Sequence, residues 1–588
     1  MKSKVKNLTL LLSLFIAHLG YSQPTNEVTF RVKFDDVKSI KNPGVRGNQA
    51  PLTWEKSFTL TDEDNDGVYE ATVVFPGDVD ELEYKFVHGN KTQWELSSGN
   101  RVLTITESFT TTVKTWNTPD AVDVLGLKPL TPQQLLQDFD IARKTLETAH
   151  PGLYRYHTKE EMDEIFRAFR DRFSKEMTHD QAYVAFSQLL ARIQCSHTFA
   201  NYHNQSPLIK QAVIDLPNKL PFTHLWLEGD MVITNSVDFL DGSKVISING
   251  QSVGEIEEAL LPILRRDGNN QSKSLAELTV TGSYQYETFD VYFPLLFPPV
   301  EGEFIVKVLQ PDLTEKELSV EAISRKERIR ALNENGSALP INDDGLWSFD
   351  IMENGIGYLK LGTFDDFGFS FEWKDFLSET FKQIRKEGVD KLILDIRWNE
   401  GGHDEIIGYL AGFLGKKNMQ LVRREDHLAF DKIPEELRPY MSTWSPRFYD
   451  LSSEVQSTSE GYFIWKDQEE DKVPLLPRRF EGEVYLLTNG ANSSASFFLA
   501  EAAKENKLAT LIGEETGGNR KGINGGMMFF VHLPNSKIHF DIPVIGMFSE
   551  ELPDEGIVPD YLVKTNAESI ANGIDPALQK ALSLAMEN

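Results

Sequence analysis

Cysteine is almost missing from this chain of 588 residues: Cys195 stands alone, so no disulfide can close within it and its stability must come from packed cores. Basic residues are in the minority, 60 against 89 acidic, and the formal net charge of -29 repels phosphate backbones and anionic lipid surfaces. That excludes nucleic acid as an expected partner. Long apolar runs are missing too. The run 8–17 is too short to span a bilayer, and no second stretch qualifies, so no membrane span is expected. With Lys2, Lys4 and Lys6 before it and Gly20 and Ser22 after it, residues 1–22 read as a secretory signal, which places the expected mature protein in the periplasm or outside the cell. No phosphate-cradling glycine loop and no recognised metal-ligand spacing occurs, so neither cofactor nor metal is expected.

What is present is ordinary globular composition, 40% apolar and 25% charged, over a length that predicts about three or four domains. In residues 26–118 Val28, Phe30, Val32 and Phe34 alternate with polar residues, as do Tyr69, Ala71, Val73 and Phe75, which predicts a β-sandwich. The turn of Asp62, Asp64, Asp66 and Gly67 imitates the start of a calcium loop, but its twelfth position is Val73 where a bidentate glutamate belongs, so a hairpin turn is expected.

Residues 117–130 carry no periodic pattern and read as a linker. Three capping boxes then open three helices across 131–203, with apolar stripes Leu135, Phe139, Ala142, Leu146; Met162, Ile165, Phe169, Phe173; and Ala182, Phe186, Leu189, Ile193. Residues 206–330 are strand-rich. From about 350 to 570 strands and helices alternate, interrupted at 416–480 by a segment rich in proline and aromatics, which predicts a multi-domain α/β protein with its α/β core last.

Three motifs in fixed order carry the chemistry: Asp-Ile-Arg-Trp-Asn-Glu-Gly-Gly at 395–402, Asn-Ser-Ser-Ala-Ser at 492–496 and Gly-Glu-Glu-Thr-Gly-Gly at 513–518. Together they can place a serine hydroxyl at a helix start beside glycine amides, the layout of an acyl-transfer site. A Ser-rich turn before a helix is by itself only an N-cap. The ordered set resembles the tail-specific, or C-terminal processing, serine protease superfamily, and within it the tricorn-core-like branch. The resemblance covers roughly 131–570 and implies a crotonase-like α/β spiral core, a helical domain carrying a Ser-His pair, and a PDZ-like unit at 206–330, where Gly242 to Gly250 and Val253 match but a plain hairpin fits as well. It implies Ser494 as nucleophile, the amide of Ala495 with that of Gly401 or Gly402 as oxyanion hole, and His197, preceded by Ser196, as base. A supporting glutamate falls on Glu555 or Glu551, because Pro553 occupies the usual place. Lys521 lies two residues from where a Ser-Lys dyad would put its lysine, and Asn519 stands at that position. Glu400 and Phe497 replace residues common in the family.

Residues 45–103 resemble starch-binding carbohydrate-binding modules, with Trp54 and Trp94 at the sugar-stacking positions and Lys85 beside them; two core tryptophans are the plainer reading. Cys195 and His197 sit two apart on a helix end and point to different sides, so a cysteine nucleophile is not expected. The sequence thus predicts an exported serine endopeptidase acting on polypeptides. Its rivals are a non-catalytic binding protein on the same fold and a glycan-directed protein.

Overall fold

The computed structural model describes residues 25–587 apart from 35, 36, 38, 78, 80, 90, 91, 95–100, 106, 107, 112, 117–127, 416–418, 421, 423, 468–471, 474 and 478. The signal at 1–22, most of the linker, and Glu95 and Asn100 of the carbohydrate-module resemblance lie outside the described residues. Among those described, no helix is long and apolar enough to cross a membrane.

The chain divides into two compact units, the first comprising residues up to 87 together with 102–116. Within it the strand Thr25–Lys33 pairs antiparallel with Tyr69–Pro76, Val28 opposite Val73, while Gly44–Gly47 pairs with Phe58–Thr59 and Glu81–His88. Val28, Phe30, Val32, Val73 and Phe75 from one sheet meet Val45, Leu82, Tyr84 and Phe86 from the other in a single core, as period-2 alternation requires of a sandwich. In the acidic turn Asp62 accepts the amides of Asp66 and Gly67 at 3.1 and 3.2 Å. Trp54 and Lys85 of this unit are half-buried, as is Trp94, which belongs to the second unit.

The second unit comprises 88–101 and 117 onward, and its first helices are Pro132–Ala149, Lys159–Phe173 and His179–Ala191. Leu135, Phe139, Ala142 and Leu146 are fully buried as the first stripe predicts. The second helix corrects its stripe: Phe166 is buried, and Ile165 and Phe169 only flank the core. Residues 206–330 form an antiparallel sheet in the order Thr223–Leu227, Asp230–Asn235, Lys244–Ile248, Glu303–Leu309, Glu315–Glu321, with the helix Val253–Leu260 packed beside it.

The α/β core is a sheet ordered Trp347–Ile351, Gly357–Leu361, Lys391–Asp395, Glu483–Thr488, Thr510–Gly513, Tyr561–Leu562, parallel after its first pair. Side chains alternate between two cores. Leu392 and Leu394 meet the helices Trp373–Glu387, Glu405–Leu414 and Ala495–Glu505, whereas Ile393 faces Ala577 and Ala581 of the helix Pro576–Glu587. Both faces of the sheet are covered, which is why its central strands read as unbroken apolar runs. A long hairpin, Gly522–His532 with His539–Phe548, leaves this core, and the 416–480 segment supplies its edge strands Glu425–His427 and Met441–Thr443. Its Phe529, Phe540 and Ile542 share a core with the three helices. The hairpin therefore joins the helical region to the α/β core.

Candidate active site

Six residues separate the strand Glu483–Thr488 from the helix Ala495–Glu505, and Ser494 is the last of them, at the helix N-cap. Its backbone is held at φ 53° and ψ -130°, a conformation that costs a non-glycine residue about 1–3 kcal/mol. The surroundings impose it. Asn492 donates to the carbonyls of Ile396 and Asn399 at 2.6 and 3.1 Å, Ser496 Oγ donates to Asn399 O at 2.5 Å, and the amides of Gly517 and Gly518 both donate to Asn492 O. All three motifs are thereby tied into one turn. Ser494 keeps part of its surface open, while Ser493, Ala495 and Ser496 are buried.

Gly401 lies directly on this turn. A Cβ there would stand 2.7 Å from Ser494 Cβ and 2.9 Å from the Ala495 nitrogen, and φ of +105° independently demands glycine. The Gly401 amide donates to Asn399 Oδ1 at 2.8 Å, so it is already taken. Gly402, at φ +135°, has its neighbours' peptide groups bonded to Phe364. Of the two candidates for the oxyanion hole, only the Gly402 amide has no acceptor among the described residues.

His197 follows the helix His179–Ala191 through a turn with Gln194 at φ +58°, whose carbonyl accepts the Gly268 amide at 3.0 Å. Ser196 is fixed by one carboxylate: Asp267 accepts its amide at 2.9 Å and its hydroxyl at 2.7 Å. Ser196 Oγ also lies 3.3 Å from His197 Nδ1. A hydroxyl has one proton, here given to Asp267, so Ser196 Oγ can only accept from Nδ1–H. That tautomer leaves Nε2 with a lone pair, as a general base needs. Nε2 faces Gly525, where an added Cβ would lie 3.9 Å away. The imidazole is closely surrounded yet keeps part of its surface open. Burial pushes its pKa down to about 4, Asp267 opposing and Lys273 and Arg265 reinforcing.

The two halves meet on residues 267–273. Asp267 holds Ser196, Asn270 Nδ2 donates to the carbonyls of Thr516 and Gly518 at 2.8 and 2.7 Å, and Lys273 Nζ donates to Ser493 Oγ at 2.6 Å. No hydrogen bond joins Ser494 Oγ to His197 in this structure; such contacts often tighten only around substrate. Asp267, Asn270 and Lys273 were not singled out from sequence. Their run, Arg-Arg-Asp-Gly-Asn-Asn-Gln-Ser-Lys at 265–273, reads as a polar turn and nothing more.

The supporting acid is placed differently from expectation. Glu555 is exposed and its carbonyl accepts the Arg520 amide, Glu551 is exposed as well, and the carboxylate on Ser196 is that of Asp267. Asp554 approaches indirectly: Asn519 Nδ2 bridges Asp267 O at 2.9 Å and Asp554 Oδ1 at 2.5 Å. Asn519 thus uses the dyad-lysine position as a tether, and Lys521 pairs at 3.7 Å with Glu550 instead. Phe497 packs its ring on Gly518, and Glu400 accepts from both Arg265 and Lys273 at 3.0 Å. Cys195 is buried and its thiol pKa is raised by burial, which makes it a poor nucleophile.

Residues 355–563 match the profile of Peptidase family S41. A carboxyl-terminal-processing protease from Picosynechococcus sp. is 26% identical over 212 residues, covering 34% of this chain and 40% of that protein's length. Among solved structures, mature CPAF superposes with a TM-score of 0.50 at 12% identity, covering 77% of this chain and 96% of that one, a likeness of fold alone. The tricorn protease covers 88% of this chain and 42% of its own at 13% identity, with a TM-score of 0.34 that is too low to bear on the architecture. The segment enclosing the serine turn and its glycines is therefore a peptidase family S41 domain, a family of serine peptidases, and over 34% of its length the chain is similar to a carboxyl-terminal-processing protease of which it spans less than half.

Proposed function

We propose that the chain is an exported serine endopeptidase that cleaves polypeptides through an acyl-enzyme. His197 Nε2 takes the Ser494 hydroxyl proton as Oγ attacks the scissile carbonyl. The Ala495 and Gly402 amides and the positive end of the helix Ala495–Glu505 stabilise the oxyanion. His197 then returns the proton to the leaving amine, and a water repeats the sequence to release the acid. Ser196 and Asp267 act as positioning residues that hold the imidazole in the required tautomer.

One observation carries this reading: Ser494 sits strained and partly open at a helix start, with Gly401 pressed against it and the Ala495 and Gly402 amides without an acceptor among the described residues. The core is read as a crotonase-like spiral and 206–330 as a PDZ-type module that adds a substrate strand to its sheet. Export rests on residues 1–22. Reaction with a fluorophosphonate, followed by peptide mapping, should label Ser494 and fail in Ser494→Ala; an unlabelled Ser494 in folded protein would favour the non-catalytic binding reading. Retention on insoluble starch, lost in Trp54→Ala and Trp94→Ala, would test glycan contact separately.

A further inference from the structure

A small cleft with a cavity volume of about 40 Å³, its mouth open to solvent, lies beside the serine turn, with Lys273, Glu277, Tyr284, Glu287, Trp398 and Glu400 in its wall. Two bonds tie it to the reacting residue's neighbour: Lys273 Nζ reaches Ser493 Oγ at 2.6 Å, and Ser493 Oγ donates to the Glu400 carbonyl at 3.2 Å. The steps assigned to Ser494 and His197 leave this wall unused.

Its charges are presented unequally. The Lys273 and Arg265 side chains are 3% and 11% exposed, whereas that of Glu400 is 47% exposed. Both cations bond the same oxygen, Oε2, and Glu400 Oε1 has no hydrogen-bond partner among the described residues. Neither cation is left to attract an anion. Arg265 is held between Glu277, at 2.5 Å, and Glu400, while Lys273 is held between Glu400 and Ser493. Glu287, also in the wall, is taken up by the Thr281 and Gly282 amides and leaves Glu400 as the open acceptor. Burial works against charge on Glu400, but Lys273 and Arg265 outweigh it and hold the pKa down to about 2, so it stays an anion at any working pH. Tyr284, Tyr286 and Trp398 supply aromatic surface suited to a methylene stem and a cationic head.

We propose that this cleft is a substrate subsite for a cationic side chain, lysine or arginine, flanking the scissile bond, with Glu400 Oε1 accepting its charged hydrogen bond. The inference rests on the peptidase reading above. The test is digestion of a proteome-derived peptide library by the full chain, with cut sites read by mass spectrometry. Cleavage should enrich lysine or arginine at one fixed position within two residues of the cut. In matched peptides the kcat/KM ratio of lysine over norleucine should fall about tenfold in Glu400→Gln, equivalent to about 1.4 kcal/mol, and be largely kept in Glu400→Asp. The ratio cancels any general loss of activity. No enrichment, or a ratio unchanged in Glu400→Gln, overturns the proposal. If nothing is cut, benzamidine binding to folded chain decides: binding weakened about tenfold by Glu400→Gln supports the subsite, and its absence overturns it. Fluorophosphonate labelling of Ser494 then reports on the peptidase reading independently.

Discussion

If His197 takes the Ser494 proton, kcat/KM should stay near its plateau well below neutrality and reach half its value near pH 4. The acid limb reports the base in free enzyme, and the active form is the neutral imidazole. Burial, with Lys273 and Arg265, has already displaced the proton from a group whose ordinary pKa is 6.5. At pH 5.5 a base of pKa about 4 is roughly 97% neutral, whereas an unperturbed imidazole is roughly 9% neutral, about a tenfold contrast in rate. Asp267→Asn adds a second reading. The Asp267 charge is the main influence holding the imidazole pKa up, so its removal should move the acid limb still lower. It also weakens the bonds at 2.9 and 2.7 Å that fix Ser196. Because Asp267 is hydrogen-bonded to Ser196 and reaches the imidazole only through its charge, the plateau should drop about 10- to 100-fold, less than the roughly 10⁴-fold loss of a hydrogen-bonded partner. The assay is a fluorogenic peptide without ionisable groups between pH 3.5 and 8, with circular dichroism at each pH to exclude unfolding. An acid limb centred at 6.5, or an Asp267→Asn enzyme with both limb and plateau unchanged, would refute the assignment.

Gly401→Ala forces a Cβ to 2.7 Å from Ser494 Cβ at a φ of +105°, so fluorophosphonate labelling of Ser494 should fall at least 100-fold in protein that still elutes folded. Lys273→Met removes a 3% exposed cation with bonds to Ser493 and Glu400, and urea denaturation should show a loss of about 2–4 kcal/mol. Burial holds His150 and His203 down to about 3 and His197 and His224 to about 4, so the native chain stays neutral at these sites while the unfolded chain takes protons below 6.5. The stability they contribute is complete above pH 6.5 and lost as pH falls through the folded values; the urea midpoint should drop between pH 6.5 and 4. Burial raises Asp541 to about 7, so it acts in the opposite sense, contributing stability that fades as pH rises toward 7. Asp541→Asn should therefore gain stability relative to the parent on going from pH 5 to pH 8, and an unchanged difference would show that Asp541 does not titrate as assigned.

Features set by neighbours a few positions apart were legible before any coordinates. The capping boxes at Thr131 and Thr158 and the stripe of Leu135, Phe139, Ala142 and Leu146 depend on helical spacing within four residues, and they stand where the pattern puts them. The serine at a helix start and the glycines beside it were legible only through the family resemblance of the ordered motifs, because Gly401 lies 93 positions from Ser494. Partners chosen across the fold were not. Asp267 meets Ser196 from 71 positions away, out of a run that looks like any polar turn, while Glu555, favoured by its place near a motif, faces solvent. Between Gly401 and Gly402 the choice turned on a local Asx turn, the Gly401 amide donating to Asn399 Oδ1 two residues earlier, which the reading of the motifs did not weigh. The hairpin Gly522–His532 with His539–Phe548, its Gly525 facing His197, also escaped notice, because its strands are buried and carry no clear alternation. Sequence determined which local pieces form. The packing of 267–273 against both the serine turn and the histidine turn, a matter of contacts between distant residues, decided how those pieces make a site.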